Sequence, residues 1–163
     1  MSNWNLDGKK PQITVQRHYL PAEADGVPIV YEGKIKDISD IYKTKKLDAD
    51  AEEDRIVLTV GVTSTISGNT TDIIDEKEIS CYMNFVVSKG SGAYSNSRLY
   101  DVLETADLLK RAEGVASAAN EQQLTFLREE LIGKKVRVLL KTAKKGQPDQ
   151  YSVVKKIVKI FGE

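Results

Sequence analysis

The sequence contains little of what builds a disulfide, a metal centre or a membrane anchor. It has one cysteine, Cys81, and one histidine, His18, in 163 residues. A single cysteine excludes an internal disulfide, and one cysteine with one histidine cannot complete a structural zinc site. No apolar run approaches the ~18 residues of a membrane helix, and the first residues lack the apolar core of a secretory signal. The sequence therefore favours a cytoplasmic protein with no membrane partner.

Signatures of catalysis are also scarce. His18 stands in a polar stretch without a cysteine or an acidic cluster nearby, which is typical of a solvated surface residue. Cys81 lies within an apolar alternation and should be buried, whereas a nucleophile needs an accessible, electropositive place. GSGA at residues 90–93 lacks the third glycine of a dinucleotide motif, and the acidic residues 48–54 lack the glycine of a calcium loop. We therefore expect that the protein is not an enzyme and that it binds no metal ion and no other cofactor.

Charge is unevenly distributed along the chain. The totals balance, with 24 basic and 24 acidic residues. From Lys134 onward nine Lys and Arg residues stand against two acids, a net charge of +7, which leaves −7 for the residues before it. A neutral chain with one basic end can bind an anionic partner there, or join that end to the acidic part of another molecule.

Alternating apolar residues predict five main strands. They span residues 28–38, 55–63, 78–88, 134–142 and 150–160. Gly33 in the first strand indicates a bulge or a sharp bend, and a change of phase at Lys155 and Lys156 indicates another in the last. A further short strand is predicted at residues 12–20. Residues 39–54 and 64–77 are predicted to be charged or polar connections.

The period of the pattern becomes helical between the third and fourth of these strands. Ser97 can cap a helix that runs to about Arg111, and Asn120 with Gln123 resembles a capping box that opens a second helix. Gly133 follows the second helix at the position where a positive φ is often needed. The sequence therefore predicts three strands, a helical segment and two closing strands.

This order of elements is the layout of the OB-fold, a five-stranded antiparallel Greek-key barrel. The stretches SNSRLYDVLE, LREELIGKKVRVLLK and YSVVKKIVKI resemble small OB-type proteins of phages and archaea, many of which are presumed to bind single-stranded nucleic acid. The resemblance implies a mainly β domain at residues 28–163 with helices between strands 3 and 4. An N-terminal extension, residues 1–27, is expected to be partly disordered. A β-sandwich with a helical insert is the alternative architecture.

An OB barrel binds a nucleic-acid strand on the outer face of its second and third strands, between the loops that join strands 1–2 and 4–5. Such binding needs basic side chains for phosphates and aromatic or polar groups for bases. Residues of these types at those places form the predicted binding site: Lys34, Lys36, Tyr42, Lys43, Arg55, Thr59, Tyr82, Asn84, Lys89, Tyr94, Arg98, Arg137, Lys141, Lys144 and Lys145.

We therefore expect binding of single-stranded DNA or RNA with little sequence preference, in replication, recombination or repair. The expected partners are single-stranded nucleic acid and, besides it, further copies of the chain or other replication proteins. Two alternatives stay open. One is a protein–protein interaction or structural assembly module of a phage or virus, and the other is a site for a sugar or another small ligand. Overall neutrality argues against a purely electrostatic binder.

Overall fold

The computed structural model describes residues 17–45, 52–115 and 120–162. In these ranges the chain forms a group of strands, then three helices, then two closing strands. Strands, a helical segment and two closing strands is also the order that the sequence predicts. The elements are β1 (Glu23–Ala24), β2 (Val27–Pro28), β3 (Val30–Ile38), β4 (Tyr42–Lys45), β5 (Glu52–Ser67), β6 (Thr70–Asn84), α1 (Arg98–Thr105), α2 (Leu109–Glu113), α3 (Asn120–Leu131), β7 (Lys135–Ala143) and β8 (Tyr151–Ile160).

Five strands close into a barrel. β3 pairs with β5 and with β7, β8 lies between β7 and β6, and β6 pairs with β5, which completes the ring. The β6–β8 pair is parallel and consists of one bridge, Ser80 to Val153, so the barrel is mixed where the sequence predicts an antiparallel one. β4 pairs with the beginning of β5 outside the ring. The closed barrel, with its helices between β6 and β7, is OB-fold-like, as predicted.

The barrel interior is filled by alternate residues of its strands, as the apolar periodicity predicts. The buried strand residues of this core are Tyr31, Ile35, Ile38, Ile56, Leu58, Val60, Val62, Ile79, Cys81, Met83, Val136, Val138, Leu140, Val154, Ile157 and Ile160. The helices add the buried leucines Leu99, Leu103, Leu124, Leu127 and Leu131 to the same cluster. They contact β3, β6 and β8 and so cover one side of the core.

Gly33 is the point at which β3 bends to serve two neighbouring strands. The β3–β5 register shifts between Glu32 and Gly33. A Cβ at position 33 would lie 2.8 Å from the carbonyl carbon of Gly61, so only glycine permits this close backbone approach. The predicted bend is confirmed. The irregularity predicted in the last strand is confirmed too, because the β7–β8 register skips Lys155.

The prediction of a polar loop at residues 64–77 is wrong. β5 runs on to Ser67 and β6 begins at Thr70, so these residues form a hairpin that turns at Gly68, where φ is +59°. Thr and Ile favour strands, although a stretch rich in Thr and Ser gives little apolar alternation. Conversely, β6 ends at Asn84, so residues 85–88 of the predicted third strand lie outside the sheet.

The first predicted helix is in fact two. Ser97 caps α1 as expected, because its Oγ accepts the backbone N–H of Tyr100 at 3.1 Å. The chain then breaks at Asp107, which has φ +59°, before α2 starts. Of the strand predicted at 12–20, residues 12–16 lie outside the described part, and 17–20 form no strand. They run beside β8 instead, where Ser152 donates its backbone N–H to the carbonyl of His18 at 2.7 Å.

Candidate nucleic-acid interface

The outer side of β4, β5 and β6 arranges several predicted residues in rows across the strands. Tyr42 of β4 is the direct partner of Arg55 in β5, which is the direct partner of Asn84 in β6. In the next row Tyr82 lies opposite Val57. Directly paired residues project from the same face of a sheet. These side chains therefore form one surface on the side opposite to the core.

A third row extends this surface across the parallel pair. Thr59 pairs with Ser80, Ser80 with Val153 of β8, and Val153 with Lys141 of β7. Lys141 is exposed and precedes the β7–β8 turn, which carries Lys145. We call the three rows together the β5–β6 face. Its residues are Tyr42, Arg55, Asn84, Val57, Tyr82, Thr59, Ser80, Val153 and Lys141.

The centre of the β5–β6 face is largely buried. Val57 is 2% exposed and Val153 is 8% exposed, although both lie outside the barrel core. Tyr82, the partner of Val57, is half-buried. Because directly opposite side chains lie within contact distance, Val57 gives the ring of Tyr82 an apolar neighbour. The ring of Tyr82 thus lies against an apolar side chain of the face, and part of Tyr82 stays accessible.

Asn84 has an unsatisfied oxygen. Its Oδ1 is the one buried side-chain nitrogen or oxygen in the described residues that lacks a hydrogen-bond partner. Leaving such an acceptor unpaired costs about 1–3 kcal/mol. Asn84 lies in the same row as Arg55 and Tyr42, so the orphan acceptor is buried within the side of the sheet that the sequence predicts for binding.

Acids neutralise some of the predicted cations. Lys43 Nζ lies 2.7 Å from Asp54 Oδ1, and this hydrogen bond raises the pKa of the Lys43 ammonium. Lys144 Nζ lies 2.8 Å from Asp149 Oδ2, which lowers the pKa of that carboxyl.

A third predicted cation, Lys36, lies 3.6 Å from Glu76. The cations of the β5–β6 face and its turn that form no ion pair with a described residue are Arg55, Lys141 and Lys145. The positive charge available to a ligand on this face is therefore smaller than the number of lysines suggests.

Arg98 connects the two strands of the parallel pair. Its Nη1 donates to the carbonyls of Tyr82 and Val154, at 3.2 Å each, and its Nη2 donates to the carbonyl of Lys155 at 2.9 Å. These bonds stand where β6 and β8 have only one bridge of their own. The sequence predicts Arg98 as a ligand contact and contains no signal for this structural role, because its partners are backbone atoms.

Two predicted residues lie on a different side of the barrel. Lys34 pairs with Lys135, and Arg137 pairs with Glu32, on the outer side of β3 and β7. Glu32 accepts from Arg137 Nε at 3.0 Å and lies 3.3 Å from Lys135 Nζ. Burial works against ionisation of Glu32, but its hydrogen bonds to Arg137 and Lys135 lower its pKa overall.

The residues predicted after β6 do not join the β5–β6 face in any strand row. Tyr94 is 82% exposed in the loop before α1. Lys89 lines a cavity of about 520 Å³ between this loop and the three helices. Its walls are mainly apolar, with Phe85, Val87 and Phe126 among them. The sequence gives no sign of this cavity, because its walls come from segments far apart in the chain.

The described ranges contain neither a cluster of metal ligands nor a helix that could span a membrane. No three or more His, Cys, Asp or Glu residues there could together hold a metal ion. The helices of the same ranges are too short and too polar to cross a bilayer. Comparisons with protein families, curated proteins and solved structures found no match to this chain. Its barrel and its surface are therefore the basis for a functional proposal.

Proposed function

We propose that the protein binds single-stranded DNA or RNA, with little sequence preference, through the β5–β6 face. The observation that supports this most is the row Tyr42, Arg55 and Asn84 beside Tyr82. Aromatic rings stack on any base, and a guanidinium group can stack or bind a phosphate. Such a protein would act where strands are separated, as in replication, recombination or repair.

The spacing of the face suits a ligand that runs across several strands. Rows two residues apart along a strand are separated by about 6.8 Å. A base on Tyr82 and a group near Asn84 would therefore be neighbours along one ligand. The unpaired Oδ1 of Asn84 is buried, so it would accept a hydrogen bond from an amino group of a base only once the side chain has turned towards the ligand. Because one acceptor cannot distinguish the bases that carry amino groups, it adds affinity with little specificity.

The electrostatic contribution should be modest. Arg55, Lys141 and Lys145 are the cations of the face and its turn that no described acid pairs with. Each phosphate contact to a single strand contributes about 0.7 to the slope of log affinity against log salt, so three contacts give a slope of about −2. A much steeper slope would indicate that most of the phosphate contacts lie elsewhere.

Fluorescence anisotropy with labelled oligonucleotides at low salt tests the proposal. Tyr82→Ala should weaken binding by about 1–3 kcal/mol, because it removes a stacking ring, while the salt slope stays almost unchanged. Tyr82→Phe is the matched control and should bind like the parent, since it keeps the ring. If micromolar parent protein binds no oligonucleotide in about 50 mM salt, where phosphate contacts are strong, the proposal is wrong.

An assembly module is the alternative, and the hairpin of β5 and β6 is the observation that favours it. Residues 70–78 pair only with β5 among the described strands, and Ile73 is 86% exposed. This acidic hairpin could meet the basic C-terminal part of another molecule. Light scattering over a concentration series distinguishes the two functions. A protein that oligomerises and ignores oligonucleotides would favour the protein–protein interaction or assembly module over nucleic-acid binding.

A further inference from the structure

Three cations surround one aromatic ring near the end of β8. Lys159 Nζ lies 4.7 Å from the centroid of the Phe161 ring, Lys135 Nζ lies 5.1 Å from it, and Arg137 Cζ lies 5.3 Å from it. The ring itself is half-buried, so part of it is accessible. We call Phe161 with these three cations the Phe161 cluster. Of its members, only Arg137 belongs to the site that the sequence predicts.

The Phe161 cluster has more positive charge than its own acids balance. Three cations close to one point repel one another. Glu32 contacts two of them, Arg137 at 3.0 Å and Lys135 at 3.3 Å, and its side chain is only 12% exposed. Lys159 forms no ion pair with a described residue. An anionic ligand beside Lys159 would therefore relieve a repulsion that Glu32 leaves in place.

The cluster is continuous with the β5–β6 face. Lys141 ends the third row of that face, and the outer side of β7 continues from it through Leu139 to Arg137. Leu139 pairs with Lys156, and Arg137 pairs with Lys159, so β8 adds a cation to each step. Steps of two residues along a strand are about 6.8 Å long. Each of the three rows from Lys141 to the ring, along β7 and β8, thus contains at least one cation.

We infer that the Phe161 cluster is a second contact for the same nucleic-acid strand, which continues from the β5–β6 face along β7 and β8. This inference rests on the proposed function and adds a site to it. A base stacks on the accessible part of the Phe161 ring, and Lys159, which no described acid pairs with, binds the phosphate beside that base. The combination of one ring with flanking cations is what single-stranded ligands require.

Oligonucleotides of two lengths test the second contact. We would use strands of about 6 and about 16 nucleotides, which lie near the two ends of the range for single OB-type barrels. Phe161→Leu keeps the apolar volume but removes the aromatic face. It should weaken binding of the longer strand about fivefold or more, the lower end of the effect of one stacked base, and leave the shorter strand unaffected.

Two further variants complete the experiment. Lys159→Ala should flatten the salt slope of the longer strand by about 0.7, the value for one phosphate contact. Lys110→Ala, an exposed lysine on α2 outside both surfaces, is the matched control and should bind both strands like the parent. Thermal melts of all variants confirm that each is folded. Should Phe161→Leu prove unstable, Lys159→Ala alone decides, because Lys159 is exposed and its loss leaves no buried group unpaired.

The outcomes separate this inference from the proposal on which it rests. If the parent binds both lengths, and neither Phe161→Leu nor Lys159→Ala changes binding of the longer strand, the second contact does not exist but the proposed function stands. If the parent binds neither length, the proposed function fails and the inference fails with it. If Phe161→Leu weakens binding while Tyr82→Ala does not, the cluster is a contact and the β5–β6 face is not.

Discussion

Gly33 and Gly61 approach each other so closely across the β3–β5 pair that neither a methyl group nor a larger side chain fits at position 33. A Cβ there would overlap the carbonyl oxygen of Gly61 and lie 2.9 Å from the Cα of Val62. Both of these are backbone atoms, which cannot rotate away as a side chain can. The closure of the barrel at this point therefore depends on glycine at position 33.

Replacing Gly33 with alanine should consequently separate β3 from β5. We expect a loss of at least about 3 kcal/mol in the free energy of unfolding, because overpacking against backbone has no cheap relaxation. Gly162→Ala is the control, since a Cβ at position 162 would have nothing within 4 Å of it. It should change stability by less than about 0.5 kcal/mol. Urea unfolding measures both, and equal midpoints for the two variants would contradict the close approach.

Arg98→Lys should destabilise the protein without weakening its binding to nucleic acid. Lysine keeps the charge but cannot reach the three carbonyls that the guanidinium group bonds in β6 and β8. We expect a loss of about 2–4 kcal/mol in urea unfolding, since hydrogen bonds to charged groups contribute about 1.5–3 kcal/mol each. Arg111→Lys alters an exposed ion pair with Glu130 and should lose less than about 1 kcal/mol.

The reverse result for Arg98→Lys would contradict the structural role of Arg98. Unchanged stability with weaker binding of oligonucleotides would mean that Arg98 contacts the ligand, as the sequence predicts. Oligonucleotide affinity should therefore be measured on the folded variant, well below its melting temperature.

Cys81 should be unreactive in the folded protein. Its side chain is 1% exposed, and burial raises the pKa of its thiol to about 11, against a smaller opposite effect of Arg98. The thiolate is the reactive form, so iodoacetamide at pH 8 should leave the native protein unmodified and alkylate it in urea. Mass spectrometry counts the adducts. Rapid alkylation of the native protein would show that β6 opens locally.

Because of this raised pKa, the free energy of unfolding should decrease at alkaline pH. The unfolded thiol ionises at a lower pH than the folded one, so its contribution to stability is complete below the unfolded pKa of about 8.5. That contribution decreases as the pH rises towards 11. Cys81→Ala would remove this part of the pH dependence.

Lys144 and Lys145 should differ in their effect on salt dependence although they are neighbours. Lys144 is paired with Asp149 at 2.8 Å, whereas Lys145 is exposed and forms no ion pair with a described residue. Lys145→Ala should flatten the salt slope of oligonucleotide binding by about 0.7, and Lys144→Ala should flatten it less. Anisotropy titrations at several salt concentrations measure both slopes. Equal effects would mean that the ligand displaces Asp149 from Lys144.

The barrel could be predicted from the sequence because most of its signals are local. The alternation of Ile79, Cys81 and Met83 marks one strand and its inner side, and Gly33 marks a bend within another. The hairpin at residues 64–77 was missed because its many Thr, Ser and acidic residues give no regular apolar contrast between the two sides of a strand. The bridge from Ser80 to Val153 was also missed, since nothing near either residue specifies a parallel partner.

The surface was less predictable than the core. Outward positions such as Tyr82 followed from the period of the strand, and the structure does bring Tyr42, Arg55, Tyr82 and Asn84 together. Ion pairs and backbone contacts depend on distances between strands, so the sequence could not reveal that Arg98 bonds carbonyls. Phe161 had one usable signal, an aromatic residue directly after a basic strand, but the cations around it come from two strands.

The hairpin of β5 and β6 also affects how copies of the protein behave in concentrated solution. An unpaired strand edge is a template for aggregation, and residues 70–78 have such an edge among the described strands. This edge carries Asp72, Asp75 and Glu76, and the sequence has no Lys or Arg from Ile56 to Glu76. Two copies that met edge to edge would set these acids against one another, which destabilises the pair. The charge that makes this hairpin unsuitable for phosphates thus protects the protein from polymerising through it.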